Sequence, residues 1–150
     1  MTPLFKKLNF KDEERICILN APESFASEME SMSEVTEVLS DIPNQSGVPF
    51  VLAFAITQQE LDHYSRVVTK CAGSDAKIWI AYPKKSSKKY KCEFDRDSGW
   101  NVLGDMGYEP VRMVAIDADW SALRFRRTEY IKTLTRGFAI SEEGKKRTSG

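Results

Sequence analysis

Residues 50–83 read FVLAFAITQQELDHYSRVVTKCAGSDAKIWIAYP and contain two apolar runs separated by an amphipathic segment. The first run, residues 50–56, is continuously apolar, which is typical of a strand buried on both faces. Thr57 and Glu60 have the spacing of a capping box, in which a hydroxyl and a carboxylate begin a helix. Residues 77–82 form the second run. The stretch therefore predicts a strand–helix–strand unit, which normally makes a right-handed parallel crossover.

The segment between the two strands has the apolar periodicity of an amphipathic helix. Gly73 is predicted to end this helix, because glycine adopts the conformation that helix ends favour. The apolar stripe consists of Leu61, Tyr64, Val67, Val68 and Cys71. We expect this face of the helix to pack against the sheet.

Two further strands are predicted upstream of this unit. Residues 15–19, RICIL, form a short buried strand, and residues 34–39 alternate as a weaker one. Pro22 is a typical first residue of a helix, so we expect a short helix from there through about Met29.

A helix and a hairpin are predicted downstream. Asp97 is expected to cap a short helix that ends at Gly107. Residues 111–116 and 120–127 then predict the two strands of a hairpin, since turn-forming aspartates separate them. Residues 130–136 predict another short helix.

The order of these elements predicts the fold class. The chain has 150 residues, a length that fits one domain. We expect a single α/β domain with a mixed, mostly parallel sheet flanked by helices and a C-terminal strand–helix–β-hairpin, Rossmann-like by analogy. The domain is expected to span residues 1–136. Residues 137–150 are polar and are predicted to form a flexible C-terminal tail.

Composition argues against several classes of protein. No apolar run approaches the roughly 20 residues of a membrane helix, and no signal peptide is evident, so we expect a cytoplasmic protein without a membrane partner. The chain has one histidine and three widely spaced cysteines, Cys17, Cys71 and Cys92. That pattern argues against a disulfide framework and against a metal site.

The charges are distributed unevenly, although the formal net charge is zero. Residues 12–41 contain nine acidic residues against only Arg15, whereas residues 84–91 contain five lysines and no acid. An acidic front half and a basic back half can attract an anionic partner or support self-association. The alternative is an ordinary solvated surface.

Three motifs in the second half resemble one protein family. They are IWIAYPK at residues 78–84, RDSGW at residues 96–100 and DADWSALRFR at residues 117–126. Over about residues 75–127 the chain resembles a family of small bacterial proteins classed as a domain of unknown function. The resemblance implies a bacterial cytosolic origin and transfers no activity. The closing strand–helix–hairpin order is also similar to the end of Rossmann-like methyltransferases, which implies a fold analogy alone.

The turn after the first predicted strand argues against a nucleotide cofactor. Dinucleotide and methyl-donor sites use a glycine-rich turn there, so that the backbone can approach the ligand closely. Residues 20–23 read NAPE and contain no glycine. We therefore expect no cofactor.

The lysine-rich loop, residues 84–91, is the most unusual local feature. It follows the carboxyl end of a predicted parallel strand, where α/β sheets bind ligands. Its candidate anion-binding residues are Lys84, Lys85, Ser86, Ser87 and Lys88. The alternative is a solvated loop, since like charges repel. Arg124 and Arg126 share one face of the last strand and are further candidates for anion binding, or a device that protects a sheet edge from aggregation.

A cleft is also expected at the carboxyl edge of the sheet. Its candidate lining residues are Asn20, Glu23, Tyr82, Asp97, Trp120 and Ser121. The sequence identifies no catalytic residue, because the aspartates near this edge are explained by caps and turns.

Two functions follow from these features. The favoured one is a non-catalytic binding or accessory domain that meets an anionic ligand or an acidic protein surface through the lysine-rich loop. The alternative is a small Rossmann-like enzyme acting on a phosphorylated or carboxylated metabolite. Nucleic acid is disfavoured as a partner. A nucleic-acid surface would interleave aromatic with basic side chains, and Tyr90 is the single aromatic residue among the lysines of residues 84–91.

Overall fold

A six-stranded sheet organises the computed structural model, which describes residues 1–42 and 46–131. The strands are β1 (Arg15–Leu19), β2 (Glu37–Leu39), β3 (Val48–Phe54), β4 (Ala72–Pro83), β5 (Tyr108–Ala115) and β6 (Trp120–Arg127). The helices are α1 (Pro3–Lys7), α2 (Ala26–Met32), α3 (Gln58–Cys71) and α4 (Asn101–Asp105).

The strand order across the sheet is β2-β1-β3-β4-β6-β5. The first four strands in this order are parallel, and β6 runs antiparallel to both of its neighbours. The predicted mixed, mostly parallel α/β sheet is confirmed. Strands β2 and β3 lie on opposite sides of β1, so the strand order reverses between β1 and β3. Open α/β sheets bind ligands at the carboxyl ends of the strands beside such a reversal.

Helices cover both faces of the sheet, because the strands alternate apolar side chains between two core clusters. Along β4, Ile78 and Ile80 belong to the cluster that includes residues of α3 and α4, and Trp79 belongs to the cluster that includes residues of α1 and α2. Trp79 is fully buried, and its indole N–H donates to the backbone oxygen of Leu8 at 3.0 Å. Within residues 1–42 and 46–131, no helix is long and apolar enough to cross a lipid bilayer.

Helix α3 begins as the sequence predicts but ends differently. The Thr57 hydroxyl accepts from the Glu60 N–H at 3.0 Å, and the Glu60 carboxylate accepts from the Thr57 N–H at 3.1 Å. Gly73 does not end the helix: α3 ends at Cys71, and Gly73 lies inside β4. A Cβ at Gly73 would lie 3.2 Å from the backbone oxygen of Gly47, so this glycine serves a close backbone approach.

The predicted cap of α4 is wrong. The helix begins at Asn101, and Trp100 before it makes no side-chain capping hydrogen bond. Asp97 instead donates its backbone N–H to Oδ1 of Asp95 at 2.9 Å, so a side-chain turn shapes this segment. Gly107 follows the helix with a φ of +87°, as its predicted role requires.

Other element bounds also differ from the sequence predictions. The helix expected through Met29 begins as a 3₁₀ turn at Glu23–Phe25 and continues as α2. Helix α1 was not predicted, because five residues are too few to show a helical period. Most of the helix predicted for residues 130–136, and the tail predicted for residues 137–150, lie outside the described residues.

Replacing Gly99 is expected to destabilise the fold more than replacing Gly107. Both have positive φ, +98° and +87°, so each alanine adds left-handed strain of about 1 kcal/mol. A Cβ at Gly99 would also lie 2.6 Å from the Phe94 Cβ, whereas at Gly107 nothing lies within 4 Å. In urea titrations, the free energy of unfolding of Gly99→Ala should be lower than that of Gly107→Ala by a further ~1–3 kcal/mol. Equal losses would contradict the packing of Phe94 on Gly99.

Candidate functional site

Asn20 directly follows β1, where the strand order reverses. Its φ is +58°, a left-handed conformation that asparagine tolerates better than most residues with a side chain. Its Nδ2 donates to the backbone oxygen of Phe54 at 2.9 Å and to Oε2 of Glu60 at 2.9 Å. Asn20 therefore forms a sharp turn without glycine and ties β1 to the turn between β3 and α3.

The Glu60 carboxylate lies beside Asn20, and we call this place between the carboxyl ends of β1 and β3 the crevice. Its Oε1 accepts from the N–H groups of Ile56 and Thr57 at 2.9 Å and 3.1 Å, and its Oε2 accepts from Asn20. Burial raises the pKa of Glu60, but these hydrogen bonds outweigh burial and hold the pKa below its ordinary value of 4.5. The crevice therefore carries a negative charge at neutral pH. Oε2 accepts one hydrogen bond among the described residues and has the capacity for another.

Asp41 adds a second carboxylate at this edge. Cys17 of β1 lies opposite Leu39, the last residue of β2, so Asp41 lies beside the end of β1. The Cys17 thiol donates to the backbone oxygen of Asp41 at 3.5 Å, which fixes this position. The Asp41 side chain is exposed. Glu60, the Asn20 turn and Asp41 therefore lie at the same edge of the sheet, where β1, β2 and β3 end.

The lysine-rich loop has a defined path over the end of β4. The Ser87 hydroxyl donates to Oδ1 of Asp119 at 2.8 Å and accepts from the N–H groups of Lys89 and Tyr90 at 3.2 Å and 3.1 Å. The Lys84 N–H donates to the backbone oxygen of Asp119 at 2.8 Å. These bonds fasten the loop to the β5–β6 hairpin, so it is anchored rather than freely solvated.

The chain that continues from this loop also contacts the start of α3. The Glu93 N–H donates to the backbone oxygen of Ile56 at 3.0 Å, and the Glu93 carboxylate accepts from the Gln58 N–H at 2.8 Å. The loop segment therefore connects the hairpin to the same β3–α3 turn that holds Glu60.

Two adjoining cavities lie at the carboxyl end of β4 and the neighbouring amino end of β6. Their volumes are about 260 Å³ and about 530 Å³. Residues that line both are Lys84, Lys85, Phe94 and Asp95. The smaller cavity is also lined by Tyr82, Pro83, Arg96, Asp97 and Ser121. The larger cavity is also lined by Ser87, Lys88, Lys89, Tyr90, Lys91, Cys92, Glu93 and Ser98. The smaller cavity thus combines hydroxyl groups with charges of both signs.

Tyr82 and Ser121 supply the hydroxyl groups of the smaller cavity. They are register partners on β4 and β6, and only 5% and 7% of their surfaces are exposed. In the part of the chain that the structure describes, the Tyr82 hydroxyl has one partner, the Met113 sulfur at 3.7 Å, and the Ser121 hydroxyl has none. Burial raises the pKa of Tyr82 to about 12, so its hydroxyl keeps its proton and can donate.

Ion pairs offset part of the charge around the smaller cavity. Lys85 lies 3.6 Å from Asp95, and Arg96 lies 3.5 Å from Asp97. Lys84 forms no ion pair with any residue that the structure describes. Lys84 is therefore the cation with the most freedom to bind an anionic group there.

The structure brings together several residues that the sequence singled out. Those that line the smaller cavity are Tyr82, Lys84, Lys85, Asp97 and Ser121. Ser87 and Lys88 line only the larger cavity, and Ser86 lines neither.

Arg124 and Arg126 do not share a site with the lysine-rich loop. Because β6 runs antiparallel to β4, Arg124 lies opposite Trp79, well away from the carboxyl end of β4. Arg126 donates from Nε to Oδ1 of Asp75 at 2.7 Å, and this bond holds the pKa of Asp75 below its ordinary value. The two arginines therefore do not form one anion-binding site with the lysine-rich loop.

Three predicted lining residues lie outside both cavities. Asn20 lies in the crevice between β1 and β3, Glu23 is exposed in the 3₁₀ turn, and Trp120 is buried with 2% of its surface exposed. Neither Asp41 nor Glu60 is predicted from the sequence to be a site residue, since the capping-box spacing alone explains Glu60. The distance along the chain from the β1 turn to Asp41, about 20 positions, is the signal that could have found the crevice.

Neither a protein-family model nor a curated protein matches this chain by sequence. Solved structures do match its fold. A SAM-dependent methyltransferase from Aquifex aeolicus has a TM-score of 0.54 and 12% identity, covering 81% of this chain and 86% of that one. A TehB-like SAM-dependent methyltransferase from Corynebacterium glutamicum has a TM-score of 0.51 and 6% identity, covering 83% and 85%. The fold is that of Rossmann-like methyltransferases, and at these identities the likeness shows the fold alone.

This likeness contradicts the favoured prediction of a non-catalytic binding or accessory domain, because the solved structures that share the fold are described as methyltransferases, which are enzymes. The prediction relied on missing local motifs, whereas the fold is defined by pairing between strands far apart in sequence. The resemblance to a family of small bacterial proteins stays a prediction.

Asn20→Ala is expected to destabilise the protein more than Asn20→Gly. Both variants lose the hydrogen bonds to Phe54 and Glu60, but only alanine is strained at a φ of +58°. The difference in the free energy of unfolding should be about 1 kcal/mol in urea titrations. If the alanine variant is as stable as the glycine variant, the left-handed turn at Asn20 is not present in solution.

The hydrogen bonds of Glu60 predict a pH dependence. The pKa of Glu60 is lower in the folded chain than its ordinary value of 4.5 in the unfolded chain. The ionised carboxylate therefore stabilises the fold at pH values above 4.5. That stabilisation is lost as the pH falls through the folded pKa. Urea midpoints of the wild type should therefore fall more steeply with acidification than those of Glu60→Gln. Parallel profiles would show that Glu60 is not ionised within these bonds.

Proposed function

We propose that this chain is an S-adenosylmethionine-dependent methyltransferase whose cofactor binds at the carboxyl ends of β1, β2 and β3. The observation that carries the proposal is the hydrogen bond between Asn20 and Glu60 where the strand order reverses, with Asp41 beside the end of β1 at the same edge of the sheet. In open α/β folds this position is the usual ligand site. The methyltransferases that share the fold give the chemical class.

Three features of this crevice fit the cofactor. The left-handed backbone of Asn20 replaces the first glycine of the usual turn. Asp41 follows about 20 positions later, like the acid that binds ribose hydroxyls in Rossmann-type sites. The Glu60 carboxylate offers a negative charge to the ammonium and sulfonium groups of the cofactor.

The crevice also departs from the glycine-rich pattern. Pro22 has no backbone N–H to donate, and Asn20 has a side chain where glycine has none. The proposal therefore assigns recognition of the cofactor to side chains more than to the backbone. It replaces the expectation of no cofactor, which considered glycine alone as the source of the turn.

The reaction is the transfer of one methyl group. When bound, S-adenosylmethionine supplies a methyl carbon to a lone pair of the acceptor, the electron pair of the broken C–S bond stays on sulfur as a neutral thioether, and the acceptor releases a proton. The residues of this chain hold and orient the donor, which makes the encounter effectively unimolecular.

We place this activity in the cytoplasm. All three cysteines are free thiols, as is usual in a reducing compartment. Burial raises the pKa of Cys17 to about 12, so this thiol stays protonated and inert.

Calorimetry with S-adenosylmethionine tests the proposal. Wild-type protein should bind the cofactor saturably. Asp41→Asn should weaken binding about tenfold, because a hydrogen bond to a charged group is lost. Asp12→Asn is the matched control, since Asp12 is an exposed aspartate at the opposite, amino edge of the sheet. Absence of binding at millimolar cofactor, or equal weakening by both variants, would overturn the proposal.

A further inference from the structure

We infer that the smaller cavity, at the ends of β4 and β6, binds a carboxylate or phosphate group of the methyl acceptor. Naming the ligand as the acceptor rests on the proposed function. The oxyanion site itself is built by residues of β4, β6 and the lysine-rich loop, none of which belongs to the proposed cofactor crevice.

Two hydroxyl groups of the smaller cavity lack a strong hydrogen-bond acceptor. Tyr82 and Ser121 are more than nine-tenths buried as residues, and among the described residues their hydroxyls find only a weak sulfur acceptor between them. Both residues line the cavity, and neither hydroxyl oxygen is cut off from solvent without a partner. The Ser121 hydroxyl is therefore free to donate to an acceptor atom that enters the cavity, and the Tyr82 hydroxyl can exchange its sulfur acceptor for an oxygen.

The charges around the smaller cavity leave one cation without an ion pair. Asp95 and Asp97 are matched by Lys85 and Arg96, and the ammonium group of Lys84 has no ion pair in the described chain. A cation and two hydroxyl donors in the lining of one cavity can bind an oxyanion. The two aspartates at the rim disfavour a second negative group, so the ligand chemistry is a single carboxylate or phosphate.

The smaller cavity lies close to the proposed cofactor crevice. Only β3 separates β1 from β4, so the cavity lies roughly 10 Å across the sheet from the proposed cofactor crevice. Glu93 also bonds the loop segment to Ile56 and Gln58, which belong to the turn that holds Glu60. A substrate anchored by its oxyanion in the cavity can therefore reach towards the crevice.

The volume of about 260 Å³ fits a small-molecule group rather than a protein surface. An acidic protein would meet the exposed lysines Lys88 and Lys89 without reaching the buried hydroxyls. The lysine-rich loop then serves as one wall of a substrate site, fixed in place by Ser87 and Asp119.

Titration of the full chain with sodium phosphate, and separately with sodium acetate, tests this inference. Ionic strength is kept constant with chloride, and amide shifts are followed by ¹H–¹⁵N NMR. We expect saturable amide shifts at Tyr82, Lys84 and Ser121 with at least one of the two anions. The anion that binds more tightly shows whether the cavity prefers a phosphate or a carboxylate group. Ser121→Ala and Lys84→Gln should each weaken binding about tenfold.

Matched controls separate the cavity from general effects. Ser65→Ala removes another buried serine hydroxyl, on α3, and Lys70→Gln removes a lysine at the end of that helix; neither should change anion binding. Shifts that chloride alone reproduces, or equal weakening by cavity and control variants, would overturn the inference. So would binding of polyglutamate without binding of phosphate or acetate.

Failure of this inference is distinguishable from failure of the proposed function. Cofactor binding is measured by calorimetry without any anion, and anion binding is measured by NMR without cofactor. Wild-type protein that binds S-adenosylmethionine but neither anion overturns the oxyanion site alone. Protein that binds an anion in the cavity but no cofactor overturns the proposed methyltransferase and leaves the oxyanion site.

Discussion

The placement of β3 between β1 and β4 is the constraint on which the rest of the structure depends. It pairs in parallel with both neighbours, and every residue of β3 except Pro49 is buried. A strand paired on both edges and covered on both faces must be apolar, which residues 48–54 are. With β3 in this position, the connection after β1 leads to β2 on one side of the sheet, and the connection after β3 leads to β4 on the other side. The resulting crevice brings Asn20 beside Glu60.

The hydrogen bonds at the start of α3 explain why the two proposed sites differ in charge. The Glu60 carboxylate caps the helix and accepts from Asn20, and the Glu93 carboxylate accepts from the Gln58 N–H. These two acids satisfy backbone groups that a helix N-terminus would otherwise offer to an anion. The proposed cofactor crevice is therefore suited to cationic groups of a ligand, and the proposed oxyanion site lies elsewhere, at Lys84 beside the end of β4.

Some of the residues that the sequence marks at strand ends lie together in the structure. Tyr82, Ser121 and Lys84 line one cavity, because each lies next to a strand end that the local pattern already marks. Arg124 could not be placed this way, since its position depends on the antiparallel pairing of β6 with β4. The position of Asp41 beside the end of β1 could not be predicted either, because it depends on the parallel pairing of β2 with β1, and a strand of three residues does not indicate its pairing partner locally.

The α/β class, the capping box of α3, the hairpin and the apolar strands could be predicted from the sequence, because each follows from residues close together in the chain. The strand order, the path of the lysine-rich loop and the two groups of polar residues at the carboxyl edge emerged with the folded structure. The two sets differ in the range of the interactions that produce them. Caps and periodic faces are local, whereas sheet pairing joins segments separated by tens of residues and is selected by burial of the whole core.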